Sequence, residues 1–344
     1  MNSYQRVMQT LSGHPVDRLP VFAVLGAYGA RLTGTGLRAM YSDAAAYVAS
    51  QRAVEESFGF DLVLAPFDFS AISEAFGGET AWSAVQPPNV RRPPARCAAE
   101  AVALPLPDPR RAGRLPVILE ATRQLARLYK EKVPVVAVLP GPGILPALLT
   151  GLDQWLEALL FRPETAAKLL CHSGDFLVSW GNALLAAGAD CLVLTEGMAT
   201  AEIAPRALFV DSVLPHLRDV ASRIDGPKII SSTGGRMNQT IDLMRGLSGV
   251  VGVITGSKDD LSESRRLLGP DLTLIGNLDN LALPSAGAAE IYRMSLDCLA
   301  KAAPGGRFIL ANSGGDIPLA TPAENLLAML GAAAIYSAPS GSRS

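Results

Sequence analysis

Ile309-Leu-Ala-Asn312-Ser-Gly314-Gly315-Asp316-Ile317-Pro318-Leu-Ala-Thr321-Pro322-Ala-Glu324-Asn325 is the stretch whose reading decides the fold of this chain. It begins as a short apolar strand and breaks into a glycine-rich polar turn. A helix is then predicted to start at Thr321-Pro322. Thr is a capping residue, Pro suits the first helical position, and Glu324 places an acid in the first turn. A strand end opening onto a helix N-terminus offers backbone N–H groups to an anionic or carbonyl ligand.

Upstream, the same strand-to-helix alternation recurs. Short apolar runs rich in β-branched residues lie at 20–24, 62–66, 133–139, 191–195, 228–231, 250–255, 272–276 and 308–311. Helical patterns at 44–57, 151–188, 207–224, 261–268 and 289–303 separate them. Eight strands alternating with helices predict an α/β fold, a parallel eight-stranded (β/α)8 TIM barrel, with the active site at the C-terminal ends of the strands. A doubly wound open sheet is the alternative. It would need a phosphate fingerprint after the first strand, and Gly26-Ala-Tyr28-Gly29 has the wrong spacing for one. The expected organisation is a single barrel domain over 1–337. A Pro- and Arg-rich excursion at about 83–116 forms a lid or surface elaboration, and the tail at 338–344 is disordered.

Composition narrows the function. The chain has 344 residues, 49% hydrophobic and 18% charged, with a formal net charge of −2, enough for a large core. No Lys/Arg-dense run with interleaved aromatics occurs, so nucleic acid is not an expected partner. Arg91-Arg92 and Arg96 sit among prolines and read as surface decoration. The first residues, Met1-Asn-Ser-Tyr-Gln-Arg-Val-Met8, lack the apolar core of a signal peptide. The most apolar stretch, 133–149, is broken by Pro134, Pro140, Gly141, Pro142, Gly143 and Pro146, so no membrane span is expected. Cys97, Cys171, Cys191 and Cys298 are far apart and fit a reducing cytoplasm. Cys171, Cys191 and Cys298 read as core or near-core residues.

In a barrel, function gathers at the strand ends. Those positions supply Asp68 and Glu74 after the second strand, Pro140-Gly141-Pro142-Gly143 after the third and Glu196 after the fourth. Ser231, Ser232 and Thr233 follow the fifth, Gly256-Ser257-Lys258 the sixth, Asn277 and Asp279 the seventh, and Asn312 and Asp316 the eighth. Such groups can line a pocket for a polar small molecule, or they can simply cap the following helices.

Several blocks resemble the uroporphyrinogen decarboxylase superfamily. They are Val7-Met-Gln-Thr-Leu-Ser-Gly13-His-Pro15-Val-Asp17-Arg18-Leu-Pro20-Val21, Phe67-Asp68-Phe-Ser-Ala-Ile-Ser-Glu74-Ala75-Phe-Gly77, and Leu139-Pro-Gly141-Pro142-Gly-Ile-Leu145. Ala187-Gly188-Ala189-Asp190, Gly276-Asn277-Leu278-Asp279 and Thr321-Pro322-Ala-Glu324-Asn325 complete the set, in order along nearly the whole chain. The third turn resembles the cobamide-dependent methyltransferase branch, which includes methylcobamide:coenzyme M methyltransferases.

The resemblance also exposes departures. The decarboxylase arginine block after the first strand corresponds here to Ala23-Val-Leu-Gly-Ala-Tyr28-Gly29, without arginine, and the decarboxylase's final-turn histidine corresponds to Gly315. Asp68 falls where the decarboxylases have their catalytic aspartate. The methyltransferase branch holds zinc with His-x-Cys and a later Cys. The matching positions here are Ser231, Thr233 and Gly315, which supply no such ligands, so no zinc is expected. The resemblance therefore implies a corrinoid (cobalamin)-linked methyltransferase acting on a small molecule, with the corrinoid carried on a partner protein or bound directly. Asp68, Glu74, Glu196 and Asp316 are its expected acid–base groups, and Tyr28, Ser231, Thr233, Asn277, Asp279 and Asn312 its expected substrate-binding groups. Two alternatives stay open: a tetrapyrrole decarboxylase or lyase using Asp68, and a non-catalytic tetrapyrrole- or corrinoid-binding accessory protein. A homodimer through an apolar helix at 326–336 is also left open, against packing of that helix on the barrel.

Overall fold

A computed structural model describes residues 1–336; the expected tail at 338–344 lies outside the described residues. In chain order the strands are β1 Val21–Phe22, β2 Val63–Leu64, β3 Glu79–Ala81, β4 Asn89–Arg92, β5 Val135–Pro140, β6 Cys191–Thr195, β7 Lys228–Ser231, β8 Val250–Ile254, β9 Thr273–Asp279 and β10 Phe308–Ser313. β3 and β4 form an antiparallel hairpin. The other eight are parallel, in the order β1-β10-β9-β8-β7-β6-β5-β2. The apolar runs become strands because both their faces are buried, which suits β-branched side chains in a parallel sheet.

The two ends of that sheet meet at a seam. Asp61 N–H donates to the Val21 carbonyl at 3.0 Å, and Val21 N–H donates to the Asp61 carboxylate at 2.9 Å. Above this pair the buried Gln51 donates to the Leu25 carbonyl at 3.1 Å and accepts from Leu64 N–H at 3.4 Å. These bonds close the sheet into a TIM barrel.

Strand periodicity then divides the core in two. Phe22, Leu64, Val136, Val193, Ile229 and Ile309 point into the barrel, where Val7 and Leu11 of the helix Ser3–Ser12 plug its N-terminal end. Their neighbours in sequence face outward and pack under the helices.

Three expectations on the helices are corrected. The pattern at 151–188 is two helices, Leu152–Phe161 and Pro163–Ala186. Proline disfavours the helical conformation in the residue before it, and Arg162 stands at φ −138° and ψ 57°. The pattern at 207–224 contains a π turn at Phe209–Val213 before the helix Leu214–Arg223, where Pro215 has no N–H to continue the ladder. The last helix runs Ala323–Tyr336, starting after Thr321, whose hydroxyl is buried without a hydrogen-bond partner rather than capping it. One cysteine also differs: Cys171 is exposed, with Sγ 3.9 Å from His216 Nδ1, whereas Cys191 and Cys298 are buried.

The proline- and arginine-rich segment forms the β4 strand of the hairpin, a short helix Ala98–Val102 and a turn leading into the helix Leu115–Tyr129. Arg92 pairs with Glu79 across the hairpin, and Arg96 pairs with Glu100 at 2.7 Å; both arginines are exposed. Among the described residues no helix is long and apolar enough to cross a membrane.

Candidate functional site

A cavity of about 230 Å³ opens at the C-terminal mouth of the barrel. Its apolar wall comes from the inward face of the strands: Phe22, Val24, Val138, Val193 and Ile254, with Phe67 just beyond β2. The polar wall is Thr195, Ser231 and Thr233, and the backbone of Gly314 and Gly315 closes the side toward β10. The turns after β7 and β10 touch here: a Cβ placed on Gly234 would lie 3.2 Å from the Gly314 Cα. Ser231, Thr233 and Gly315 thus border one space although 84 positions separate the first from the last (315 − 231).

The three hydroxyls are partly committed. Thr233, at φ +56°, donates its O–H to the Ser232 carbonyl at 2.6 Å. Its N–H donates to Ser231 Oγ at 3.3 Å, which leaves the Ser231 O–H to donate elsewhere. Thr195 O–H donates to the Leu139 carbonyl at 3.4 Å. Among the described residues, no three His, Cys, Asp or Glu side chains stand together as a metal-ligating group.

The acids expected in one pocket occupy three separate places. Asp68 caps the helix Phe69–Ala75, accepting from Ala71 N–H at 3.2 Å and Ser70 Oγ at 2.5 Å. It is ion-paired with Arg114, whose Nε also donates to Glu74 at 2.9 Å. The Arg114 fork reaches Ser70 Oγ and Thr80 Oγ1 as well, at 3.1 and 3.2 Å, and its Cζ lies over the Trp82 ring, 4.7 Å from the ring centroid. Burial works against the guanidinium's charge, but Asp68 and Glu74 outweigh it and hold the group more firmly protonated than usual.

Glu196 points away from the cavity. It is fully buried and accepts from Gly143 N–H at 2.8 Å and Met198 N–H at 3.2 Å, locking the turns after β5 and β6 together. A Cβ on either Gly141 or Gly143 would collide with this carboxyl, which explains the glycines of that turn. Burial pushes its pKa up to about 7, against the two N–H donors.

Asp316, one residue beyond the Gly315 wall, accepts from Ala27 N–H at 3.1 Å through Oδ1. Its Oδ2 is buried without a hydrogen-bond partner. Burial raises this carboxyl to about 7 as well, with backbone N–H groups of Ala27 and Gly26 opposing the shift. A Cβ at Gly26 would lie 3.1 Å from both carboxyl oxygens, so a side chain there would press on the acid.

Four residues expected to hold substrate bond the protein's own backbone. Tyr28 is buried and donates to the Thr321 carbonyl at 2.8 Å. Asn312 accepts from Val24 N–H at 2.8 Å and donates to Gly315 O at 3.2 Å, joining β1 to the last turn. Asn277 donates to the carbonyls of Gly256 and Asp259 at 2.7 and 2.9 Å. Asp279 accepts from Leu281 N–H at 3.0 Å and lines a separate cleft beside the helix Ala288–Ala302. Of the substrate-binding set, the structure brings Ser231 and Thr233 to the mouth cavity.

Sequence reasoning missed Arg114, Thr195 and Asp259. Asp259 is buried and accepts from three backbone N–H groups, those of Met237, Asn238 and Gly256. Thr195 was legible from alternation, since it shares the parity of inward-facing Val193. Arg114 had only the weak signal of an arginine next to a helix start in the long excursion.

Comparisons with known proteins agree with this architecture. The family profile described as "Uroporphyrinogen decarboxylase (URO-D)" matches residues 2–336. A methylated-thiol–coenzyme M methyltransferase of Methanosarcina mazei is 26% identical over 79% of this chain and 72% of that protein. A methylcobamide:CoM methyltransferase of the same organism is 24% identical over 96% of this chain and 97% of its own length. A solved methyltransferase structure from Methanosarcina mazei superposes with a TM-score of 0.89 at 22% identity, covering 98% of this chain and all of that one.

Proposed function

The chain belongs to the uroporphyrinogen decarboxylase family, and from that premise we propose that it is a cobamide-linked methyltransferase whose small-molecule substrate is not activated by zinc. The observation that carries this reading is the meeting of Ser231, Thr233 and Gly315 around one cavity. These are the positions where the resemblance puts the zinc ligands of the methyltransferase branch. Two hydroxyls and a glycine do not fit a zinc ion, which takes imidazole, thiolate or carboxylate donors in tetrahedral array. No step of the reaction is therefore routed through zinc.

The cobamide enters as a substrate. A cavity of about 230 Å³ takes a small molecule, not a corrin ring, so the corrinoid sits over the mouth, brought by a partner protein or from solution. It supplies a cobalt centre able to take or give a methyl group. What the chain supplies is orientation. Ser231 O–H donates to the oxygen or nitrogen that carries the methyl group, and Thr233 Oγ1 accepts from that atom once it bears a proton. When that methyl leaves, the bonding pair stays on the heteroatom, which then needs a proton. Asp316 is not part of the cavity lining and its Oδ2 is buried, so that proton comes from solvent through the mouth.

The pyrrole-lyase alternative receives less support, because Asp68 is already held by Arg114 and Ser70 and has a helix to cap. The test is an absorbance titration of metal-analysed protein with cob(I)alamin and methyl donors, and with methylcobalamin and acceptors. Methyl transfer by protein lacking stoichiometric zinc supports the proposal. Transfer that depends on bound zinc, or saturable binding of a porphyrinogen alone, overturns it.

A further inference from the structure

Resting on that reading of the mouth cavity, we infer that its substrate is an uncharged, mainly apolar small molecule with a single oxygen or nitrogen, and not an anionic thiol. Among the described residues no ionisable side chain lines the cavity. Phe22 and Phe67 offer ring faces and edges, Val138, Val193 and Ile254 fill the rest of the apolar wall, and the hydroxyls stand together at the β6–β7 side. The charges near the strand ends are spent elsewhere. Arg114 is held by Asp68 and Glu74, and Glu196 is held by two backbone N–H groups.

A carboxylate or sulfonate in this space would be buried without a counter-charge, which is far more costly than burying a neutral group of the same size. An ether, alcohol or phenol meets the opposite conditions. Its apolar body matches the wall, and its oxygen accepts from Ser231 O–H. An O–H on the ligand can donate to Thr233 Oγ1, whose own proton is directed at the Ser232 carbonyl. The polar wall thus offers one donor and one acceptor side by side, enough for one heteroatom.

Titration calorimetry and ligand-observed NMR on the full chain, without any corrinoid, test this with methoxybenzene, phenol, benzoate and 2-sulfanylethanesulfonate. The expected result is that methoxybenzene and phenol bind and the two anions bind at least about 100-fold more weakly. Ser231→Ala should weaken phenol roughly fivefold, the effect of one neutral hydrogen bond. Val193→Trp, which fills the cavity, should abolish binding, and Val138→Phe provides a second, smaller block should the first variant fail to fold. Anions binding as well as the neutral compounds, no neutral compound binding, or a blocked cavity that still binds phenol would each overturn the inference. Because no corrinoid is present, neutral binding without methyl transfer in the corrinoid assay sinks the methyltransferase reading alone. Transfer to 2-sulfanylethanesulfonate in preference to phenol sinks the inference alone.

Discussion

The guanidinium of Arg114 holds the carboxylate of Asp68 across 46 residues of chain, and the same side chain reaches Glu74 at 2.9 Å. The proline- and arginine-rich segment is thereby fastened to the end of β2. Asp68 is 1% exposed and Arg114 12%, so breaking the pair leaves a buried carboxylate without its counter-charge. Arg114→Ala should cost about 3–5 kcal/mol of stability, read as a lower urea midpoint. Arg114→Lys should recover only part of it, since a lysine cannot serve Asp68 and Glu74 with one planar fork. A wild-type midpoint in the alanine variant would show that the pair contributes nothing to stability.

Three positions around the mouth cavity give a second test. Gly315 has no atom within 4 Å of where a Cβ would stand, so sterics do not require glycine there. Ser231→His, Thr233→Cys and Gly315→Cys combined should create a zinc site, with about one equivalent retained in equilibrium dialysis. Each single variant should retain none. A triple variant that folds but binds no zinc would mean that the three side chains do not converge.

How much of this was legible in advance turns on strand parity. The barrel followed from eight apolar runs separated by helices, and those runs became strands with ends shifted by no more than three residues. Of the paired positions Thr195 and Glu196, alternation from inward-facing Val193 puts Thr195 in the cavity and Glu196 behind it; chemistry alone favours the acid. Asn277 and Asn312 look like ligand-binding amides, but they sit near strand ends beside turns whose carbonyls and N–H groups need partners, and the side chains supply them. The role of Arg114 was not legible, because an ion pair across 46 residues leaves no periodic trace. Gln51, which bridges the barrel seam, was hidden for the same reason.

The turn after β5 predicts a steric effect. Gly143 has no room for a methyl group: a Cβ would meet Glu196, Met198 and Val213, with the last two at 2.7 and 2.9 Å. Gly143→Ala should therefore destabilise by about 1–3 kcal/mol through overpacking. Gly34, whose Cβ position is open but whose φ is +71°, serves as the control. There alanine should cost about 1–2 kcal/mol, from the left-handed backbone alone. Thermal melts of the two variants measure the difference, and equal losses would indicate that the Glu196 lock yields without cost.

The buried acids set a pH dependence. Asp316 ionises near its ordinary value of 3.8 when unfolded and near 7 when folded. Between those values the folded chain keeps a proton that the unfolded chain has lost, so rising pH favours unfolding, by about 1.4 kcal/mol per pH unit for one group. This stabilisation is fully present below about pH 4 and gone above about pH 7. Glu196 adds the same trend from 4.5 to about 7. Asp316→Asn keeps the acceptor for Ala27 N–H and resembles the protonated acid in shape. It should match the wild type at pH 4, unfold at higher urea than the wild type at pH 8, and halve the slope between pH 5 and 7 that the two acids share. An unchanged slope in the variant would mean that Asp316 gives up its proton as readily in the folded chain as in the unfolded one.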